Sequence, residues 1–344
     1  MPASRRYLHR QAKKLMKIHD INQLAKLLQV SVFHLIGVAN KSTAYDIFRI
    51  HKKGGGKRLI EAPHKELKGI QRKLAFYFGA LYHMIMPHCS FGYIFNTKQD
   101  KLKRNIVTNA QQHLNAAYMI NADLEDFFHQ IKSSQIHQFL SRPMFSFDER
   151  TKEILINLVT LDDRLPMGAP SSPSLSNLCL LDLDKHISQY CRWAGITYTR
   201  FVDDFTFSHP KDPLDAHFTH LSQYVQEANF AFNLSKTKVY GKKDDKIVTG
   251  IVIKEQQLTL DQSYFEGVKE AISYLSGAIK VSNYYQQKEI WIEEYKQKIN
   301  GLLLFGEQVL GDQSEEMISL YNLYDEAVYP MDVGSQSWLD FSYL

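Results

Sequence analysis

The spacing of hydrophobic positions divides the chain into helical and strand-forming stretches. Apolar residues recur at helical spacing in residues 4–40, 66–86, 217–229 and 263–305. Short aromatic and β-branched runs occur in residues 45–63, 119–123, 198–208 and 247–253. The alternation of these two kinds of stretch predicts a mixed fold of helices and strands.

Residues 45–63 contain the first predicted hairpin. Two alternating apolar runs flank Gly54, Gly55 and Gly56, and glycine allows a backbone to turn sharply or to approach a ligand closely. The basic residues around this turn are Lys52, Lys53, Lys57 and Arg58. Taken alone, the pattern is that of a turn with a solvated cluster of charges.

Two adjacent aspartates separate two strand-forming runs. Residues 198–202 and 205–207 are aromatic and β-branched, and Asp203 and Asp204 lie between them. The pattern predicts a tight hairpin with both acids at its tip. Neighbouring carboxylates repel each other in a partly dry site unless cations neutralise them, and Mg²⁺ requires oxygen ligands of this kind. The alternative is a simple aspartate-rich turn.

A third aspartate occurs in a matching context. Asp123 ends the apolar strand predicted at residues 119–123. Two metal ions held by acids from separate strands can clamp both oxygens of an in-line phosphoryl transfer. A strand that ends in aspartate, followed later by a hairpin with two aspartates, is therefore the pattern of a polymerase palm.

Four motifs make this pattern more specific. Residues 201–204, F-V-D-D, resemble the Y/F-x-D-D motif of reverse transcriptases. Residues 165–177, L-P-M-G-A-P-S-S-P-S-L-S-N, resemble the L-P-x-G-x-x-x-S-P block of the same family. Residues 109–113, N-A-Q-Q-H, and residues 248–250, V-T-G, resemble the two motifs that mark retron reverse transcriptases. The resemblance covers roughly residues 20–310.

The resemblance implies an α+β, right-hand polymerase fold with fingers, a palm built of an antiparallel sheet and helices, and a helical thumb. The implied domains are an N-terminal helical extension (1–44), fingers (45–118), a palm (119–255) with a helical fingers segment inserted near 131–164, and a three-helix thumb (256–310). Residues 311–344 form a C-terminal tail to which we assign no role.

The resemblance also implies roles for individual residues. The expected catalytic residues, and ligands of two Mg²⁺ ions, are Asp123, Asp203 and Asp204. The residues expected at the incoming nucleotide are Lys53, Arg58, Phe128, Met167 and Gly168. Among them, Lys53 and Arg58 are expected on the phosphates. Phe128 is the expected steric gate, since a bulky ring there would clash with a ribose 2′-hydroxyl. The candidate for phosphate contact or support of the fold is Lys236.

A second group of residues is expected to serve RNA recognition by resemblance alone. Its members are Asn109, His113, Val248, Thr249 and Gly250. Asn109 and His113 are four positions apart, so we expect them on one face of a helix over residues 106–117, in structural support or RNA contact. We expect V-T-G inside a strand over residues 247–253. Ser172, Pro173 and Asn177 are expected to position the nucleotide and template.

Two positions depart from the family pattern. Met167 stands where many reverse transcriptases have glutamine, so a hydrogen bond to the nucleotide is replaced by the packing of a flexible side chain. Asn96, Thr97 and Lys98 stand where the family often has an arginine that contacts the template.

Composition limits the remaining choices. The net charge is only +4, and none of the three cysteines forms a C-x-x-C pair, which argues against a disulfide framework and against a zinc site. No apolar run approaches the length of a membrane span, and the N-terminus lacks the apolar core of a secretory signal. We therefore expect a cytoplasmic protein without a membrane partner.

The expected partners follow from the resemblance to retron enzymes. They are a cognate structured non-coding RNA (msr-msd), the msDNA product, dNTPs and a separate effector protein. Synthesis is expected to start from the 2′-hydroxyl of an internal guanosine and to serve anti-phage defence. One alternative is another prokaryotic reverse transcriptase, of the abortive-infection or maturase type, although we expect too little chain after residue 305 for maturase domains. The other is a non-catalytic RNA-binding protein of the same fold.

Overall fold

The computed structural model of the chain describes residues 3–41, 44–51, 55–284 and 290–329. The fold divides into two compact units, Met1–Asp244 and Asp245–Leu344. Each unit has a hydrophobic core of its own. The division falls inside residues 119–255, which the resemblance assigns to the palm. The domain boundaries inferred from the sequence stay predictions.

Three short helices begin the first unit: α1 (Arg5–Met16), α2 (Ile21–Leu28) and α3 (Val32–Ala39). Each helix starts where a Ser or Asp side chain accepts a hydrogen bond from a backbone N–H of the first turn; the capping residues are Ser4, Asp20 and Ser31. These helices confirm the helical pattern of residues 4–40. No single helix among the described residues is long and apolar enough to cross a membrane, although α2 and α3, bent by 95°, pass that test as a pair by length and composition.

A hairpin and a long helix follow. Strands β1 (Tyr45–His51) and β2 (Lys57–Pro63) pair antiparallel, with Tyr45 opposite Pro63. Gly55 and Gly56 have φ values of 88° and 77°, which explains the glycines at this turn. Helix α4 (Lys65–Ile85) then carries a buried apolar stripe into the core. The hairpin and the helix confirm the corresponding predictions.

The central sheet of the first unit has four antiparallel strands in the order β4-β5-β3-β6. The strands are β3 (Tyr118–Asp123), β4 (Thr197–Phe201), β5 (Asp204–His209) and β6 (Lys238–Tyr240). Phe205 and Phe207 on the central strand β5 are completely buried. Full burial of such a ring contributes roughly 1.5–3 kcal/mol, so the strand that follows the paired aspartates is firmly held in the core.

Seven more helices are found in the described part of the first unit. They are α5 (Ile106–Gln111), α6 (Phe127–Gln130), α7 (Ser133–Leu140), α8 (Glu149–Val159), α9 (Ser172–Cys179), α10 (Leu181–Trp193) and α11 (Asp215–Glu227). The prediction of one helix over residues 106–117 is wrong, because α5 ends at Gln111. The chain must leave the helix there, since Ala117 N–H already donates to the His209 carbonyl at 3.0 Å and Tyr118 begins β3.

The second unit combines a small sheet with three helices. Strands β7 (Lys246–Val248), β8 (Ile251–Lys254) and β9 (Gln257–Thr259) form an antiparallel sheet in that order. The helices are α12 (Gln262–Tyr284), α13 (Ile290–Leu310) and α14 (Glu315–Val328). The described residues between 263 and 305 therefore form two helices rather than the expected three. The third helix, α14, lies in the stretch left unassigned by sequence, and its buried Met317 and Leu320 belong to the same core.

The V-T-G motif is a turn, not the interior of a strand. Val248 ends β7 and pairs with Ile251, the first residue of β8, so Thr249 and Gly250 form a two-residue turn. Both have positive φ, 49° and 84°, which is the requirement of the tight hairpin turns that match strand twist. The apolar run from Ile247 to Ile253 hides this reversal in the sequence. Antiparallel sheets with separate helices confirm the α+β class.

Candidate active site

The three aspartates singled out by sequence meet at one end of the central sheet. Asp123 is the last residue of β3 and pairs in register with Asp204, the first residue of β5. Asp203 lies in the turn between β4 and β5, and its carbonyl accepts a hydrogen bond from Leu124 N–H at 3.0 Å. Adjacent antiparallel strands thus bring Asp123 close to Asp203, which lies 80 positions later in the sequence.

The turn that presents Asp203 has only two residues, Val202 and Asp203, because Phe201 pairs directly with Asp204. Val202 has a φ of 66°, a region that β-branched residues rarely adopt. Such strain persists only where the surroundings enforce it. Here a buried network beneath the turn provides that enforcement.

The network centres on Arg200, which is completely buried in β4. Its guanidinium donates to Asp184 Oδ1 and Oδ2 at 2.8 and 2.6 Å, to Asn177 Oδ1 at 2.9 Å and to the Val202 carbonyl at 2.8 Å. Asn177 Nδ2 donates in turn to the Gly92 carbonyl at 3.0 Å. The aspartate turn is therefore anchored to α9, α10 and the segment around Gly92.

Asn177 corrects one prediction. Its side chain is 0% exposed and both of its polar ends are occupied inside the protein, by Arg200 and by Gly92. It supports the aspartate turn from below and does not face a nucleotide or template. Arg200 and Asp184 escaped the sequence interpretation, although a charged residue inside the aromatic run of residues 198–207 is a signal of a buried ion pair.

Burial and repulsion between carboxylates both disfavour the charged forms of the aspartates at this site. Loss of hydration raises the pKa of Asp204 to about 8, and the hydrogen bond and charge of Asp123 and the charge of Asp203 act in the same direction. Loss of hydration and the charge of Asp123 also raise the pKa of Asp203. Lys236 opposes both shifts, and its Nζ lies 3.1 Å from Asp123 Oδ2.

This donor set fits hard divalent cations. An added positive charge would relieve the repulsion among Asp123, Asp203 and Asp204, which contributes to the raised pKa values of Asp203 and Asp204. Within the described ranges no three His, Cys, Asp or Glu side chains form a complete metal-binding set. A complete set is not required, because Mg²⁺ is usually held by one or two carboxylates together with water and substrate phosphates.

Residues expected at the nucleotide lie on three segments. Arg58 is exposed on β2, and its charge lowers the pKa of Asp203 against the effect of desolvation, so it lies within electrostatic reach of the aspartates. Phe128 is half-buried on α6 and packs against Phe127 at a ring distance of 5.3 Å. Met167 is half-buried, and Gly168 is exposed with a φ of 126°. Lys53 lies outside the described residues.

Two residues near the site escaped the sequence interpretation. Tyr93 is 54% exposed, and the charge of Asp203 raises its pKa after the larger effect of desolvation, while Arg58 lowers it. Glu61, on the same strand as Arg58, is completely buried and pairs with Arg164 at 2.7 Å. An acid between Ile60 and Ala62 in an apolar strand is the signal that could have revealed Glu61.

The N-A-Q-Q-H residues pack against the hairpin of β4 and β5. His113 is 1% exposed, with Nδ1 at 2.7 Å from Ser208 Oγ and Nε2 at 2.8 Å from Thr199 Oγ1. Desolvation lowers the pKa of His113 to about 3, so the ring is neutral. Asn109 is also 1% exposed. Of the two roles expected for the motif, this burial favours structural support of β4 and β5.

In the second unit, the V-T-G residues differ in accessibility. Val248 is completely buried, Thr249 is half-buried and Gly250 is exposed. Only the Thr249–Gly250 end of the motif therefore presents a surface to a partner.

The sequence profile of the family described as "Reverse transcriptase (RNA-dependent DNA polymerase)" matches residues 50–276, more than half of the chain. The chain therefore belongs to the reverse transcriptase family, and its enzymatic class is RNA-directed DNA polymerase. Members of this family generally use divalent metal ions.

Several of its curated relatives are retron reverse transcriptases. The Ec86 enzyme of Escherichia coli is 28% identical over 265 residues, which cover 75% of this chain and 78% of the relative. The Mx162 enzyme of Myxococcus xanthus is 29% identical over 276 residues, 70% of this chain and 55% of the relative. The Mx65 enzyme of the same organism is 27% identical over 292 residues, which cover 79% of this chain and 63% of the relative. The chain thus spans less than two thirds of the two Myxococcus relatives. These similarities confirm the retron-type identification.

Among solved structures, a telomerase from Candida albicans, determined with a TWJ fragment of telomeric RNA, matches with a TM-score of 0.50 at 9% identity. The match covers 85% of this chain and 64% of that one. At this identity the likeness concerns the fold alone, and it confirms the polymerase fold that the resemblance implied.

Proposed function

We propose that the chain is a retron polymerase that copies a cognate structured RNA into DNA at the site formed by Asp123, Asp203 and Asp204. The observation that carries the proposal is the convergence of these carboxylates at one sheet end, within electrostatic reach of Arg58. The names of the relatives support the retron assignment. We place the activity in the cytoplasm, as the sequence led us to expect.

Two Mg²⁺ ions are the proposed cofactors, with the three aspartates as their protein ligands. Bound there, they would supply neutralisation of the charge that develops on the primer hydroxyl and the triphosphate. The chain itself contributes positioning. The Arg200 network keeps Asp203 and Asp204 at the tip of their hairpin, and Lys236 neutralises Asp123 from the side. No side-chain nucleophile is needed, because phosphoryl transfer relies on alignment and charge compensation.

The triphosphate is proposed to bind to the fingers hairpin. Arg58 offers a planar, bidentate donor on β2, and Lys53 would add a point charge near the turn. Replacing Arg58 by Gln is expected to raise KM for dNTPs while leaving primer binding unchanged. The measurement is steady-state primer extension with titrated dNTP. An unchanged KM would place the triphosphate elsewhere.

Sugar selection is proposed to rest on Phe128, on helix α6. The half-buried ring is held against Phe127, so it cannot move freely away from a ribose 2′-hydroxyl. Phe128→Ala is expected to admit ribonucleotides. If discrimination between dNTPs and rNTPs is unchanged in this variant, another residue is the gate.

The proposed template is a structured non-coding RNA (msr-msd), copied from the 2′-hydroxyl of an internal guanosine into a branched RNA–DNA product, msDNA. The solved telomerase is described with a bound RNA fragment, which is in keeping with an RNA partner for this fold. Thr249 and Gly250 are the proposed RNA-facing part of V-T-G. Anti-phage defence with a separate effector protein completes the proposal.

The decisive experiment compares cells that express the chain and its flanking non-coding DNA with cells that express the Asp203→Asn variant. Nucleic acid is extracted, treated with RNase and a debranching enzyme, and resolved on a gel. A small single-stranded DNA that shifts on debranching and is absent from the variant is the expected result. Primer extension in vitro without such a DNA would retain the reverse transcriptase and overturn the retron substrate.

A further inference from the structure

The charge of Glu61 is held inside the protein by an unusually complete set of donors. Arg164 Nη2 donates to Oε1 at 2.7 Å and Arg164 Nη1 donates to Oε2 at 3.0 Å, which makes the pair bidentate. Met167 N–H donates to Oε2 at 2.9 Å, and His129 Nε2 lies 3.0 Å from the same oxygen. A buried carboxylate is costly unless it is paired and hydrogen-bonded, and Glu61 meets both conditions.

The backbone of Glu61 is bound to the same loop. Its N–H donates to the Met167 carbonyl at 2.7 Å. A Cβ added at Gly168 would stand only 2.9 Å from the Glu61 carbonyl oxygen, so the loop lies directly on strand β2. A shift of one of these two segments must therefore move the other.

Each contact of the Glu61 side chain leads to a segment that carries a residue of the proposed nucleotide pocket. Arg58 lies three positions earlier on β2, Met167 and Gly168 form the loop, and Phe128 precedes His129 on α6. His129 is itself held on its other side, with Nδ1 at 2.9 Å from Asp126 Oδ2. The carboxylate thus joins the triphosphate-binding strand, the nucleotide loop and the sugar-gating helix.

We propose that Glu61 is a positioning residue that fixes the spacing of Arg58, the Met167–Gly168 loop and Phe128, and thereby sets nucleotide affinity and the choice between deoxyribose and ribose. The inference rests on the proposed function, since it concerns the same nucleotide pocket. Glu61 touches no substrate in this arrangement; it acts through Arg164, Met167 and His129.

Phosphoryl transfer is sensitive to the placement of the groups that position its substrate. Displacement of a substrate-positioning group by about 1 Å can cost a hundredfold in rate. Gln at position 61 would keep the volume but replace one acceptor oxygen by an NH₂ group, which would face the guanidinium of Arg164 as a second donor. Repulsion between these donors would separate β2 from Arg164 and the loop, while the hydrophobic core stays unchanged.

The test uses the full chain in primer extension on an RNA template with Mg²⁺. Glu61→Gln is expected to raise KM for dNTPs roughly tenfold and to lower the dNTP-to-rNTP preference, with a smaller change in kcat. Glu61→Asp, which retains the charge and both oxygens, should give an intermediate value. His129→Gln leaves the Arg164 pair intact and should affect mainly sugar preference, because it acts on α6. Glu66→Gln, an exposed glutamate on α4 paired with Lys41 at 3.5 Å, is the matched control.

Thermal unfolding of every variant separates misfolding from misplacement. If Glu61→Gln does not fold, His129→Gln decides, and normal sugar preference in that variant overturns the inference. Folded Glu61→Gln with wild-type KM and wild-type preference also overturns it, while the proposed function stands. Absence of synthesis by the wild-type chain on any primed RNA refutes the proposed function and the inference together.

Discussion

At the scale of single residues, the position of Asp203 depends on how tightly its turn is enclosed. Val202 is held at positive φ between the guanidinium of Arg200 and the backbone of Gly92. A Cβ added at Gly92 would stand 2.6 Å from Val202 Cγ2 and 2.8 Å from its backbone nitrogen. Only glycine leaves room for the turn at this point.

Gly92→Ala is therefore expected to displace the aspartate turn and to reduce DNA synthesis strongly. The measurement is kcat for primer extension, together with thermal unfolding. Gly69→Ala is the control, since nothing lies within 4 Å of an added Cβ there. Because Gly69 is inside α4, that change should stabilise the protein by roughly 0.5–1 kcal/mol and leave synthesis unchanged. Normal synthesis by Gly92→Ala would contradict the enclosure of the turn.

Asp204 gives a prediction about pH. Its folded-state pKa of about 8 lies above the usual value of 3.8, so the folded protein binds more protons than the unfolded chain between these limits. Asp204 therefore contributes its full stability below pH 3.8, its usual pKa. This contribution is lost as pH rises through the folded-state pKa of about 8. In EDTA, the melting temperature of Asp204→Asn should therefore exceed that of wild type more at pH 8 than at pH 5.

The exposed Asp312→Asn serves as the control, and its melting temperature should follow the wild-type value at both pH values. Mg²⁺ should raise the melting temperature of wild type more than that of Asp204→Asn, since a bound cation relieves the repulsion among the carboxylates. Equal responses to Mg²⁺ in the two proteins would argue against Asp204 as a metal ligand.

At the scale of elements, His113 joins strands β4 and β5, which form the hairpin that carries Asp203 and Asp204. It bonds to Thr199 on β4 and to Ser208 on β5, and it does so as a neutral ring. A buried histidine whose pKa lies below the unfolded value of 6.5 stabilises the fold above that pH. Stability is lost as pH falls from 6.5 toward 3, by about 1.4 kcal/mol per pH unit.

His113→Leu should cost roughly 2–4 kcal/mol at pH 7, because both hydroxyl groups lose their partner. The difference in the free energy of unfolding between wild type and His113→Leu should be about 2 kcal/mol smaller at pH 5. At that pH, wild type alone bears the cost of keeping this histidine neutral. Urea unfolding at both pH values provides the measurement. The exposed His88→Leu should show no such narrowing. A difference in unfolding free energy that does not depend on pH would show that the fold does not lower the pKa of His113.

The turn between β7 and β8 allows a comparison of one chemical change in two elements. Gly250 has a φ of 84° and open space around it, whereas Gly267 has open space but lies within helix α12. Gly250→Ala should destabilise the second unit by roughly 1 kcal/mol, and Gly267→Ala should stabilise it by roughly the same amount. Thermal unfolding measures both stability changes. If Gly250→Ala and Gly267→Ala changed stability in the same direction, the assigned turn would be disproved.

At the scale of the whole molecule, two units with separate cores set the pattern of unfolding. Leu303 is fully buried in the core of the second unit and Leu35 in that of the first. Leu-to-Ala changes at such sites cost roughly 2–5 kcal/mol. Calorimetry should show two transitions, of which Leu303→Ala lowers one and Leu35→Ala the other. A single transition lowered by either variant would show that the units unfold together.

The parts of this molecule that sequence predicts are those specified by neighbouring residues. The hairpin with Asp203 and Asp204 follows from aromatic and β-branched runs around two turn-forming acids, and the helices follow from apolar spacing. The polymerase fold followed from four short motifs. Thr249 and Gly250 show the limit of such patterns, because a turn built only from backbone angles is hidden within an apolar run.

Contacts between distant segments could not be predicted. Glu61 and Arg164 are 103 positions apart, and the residues around each of them do not indicate that the two side chains pair. The same holds for Asn177, which the motif placed at the substrate and the fold uses to hold Arg200. In both cases an isolated charged or polar residue in an apolar stretch signals that a partner exists, while only the fold identifies it.

The buried pair of Arg200 and Asp184 has a consequence for how this enzyme can change over generations. Loss of either partner would strand an unpaired charge in the interior, at a cost of roughly 3–5 kcal/mol, while joint replacement by apolar residues is far milder. A single substitution at either position is therefore expected to lower both stability and fitness. Arg200 and Asp184 should therefore be retained together, and sequence diversity should accumulate instead at exposed positions without a proposed substrate contact, such as Glu66 and Asp312.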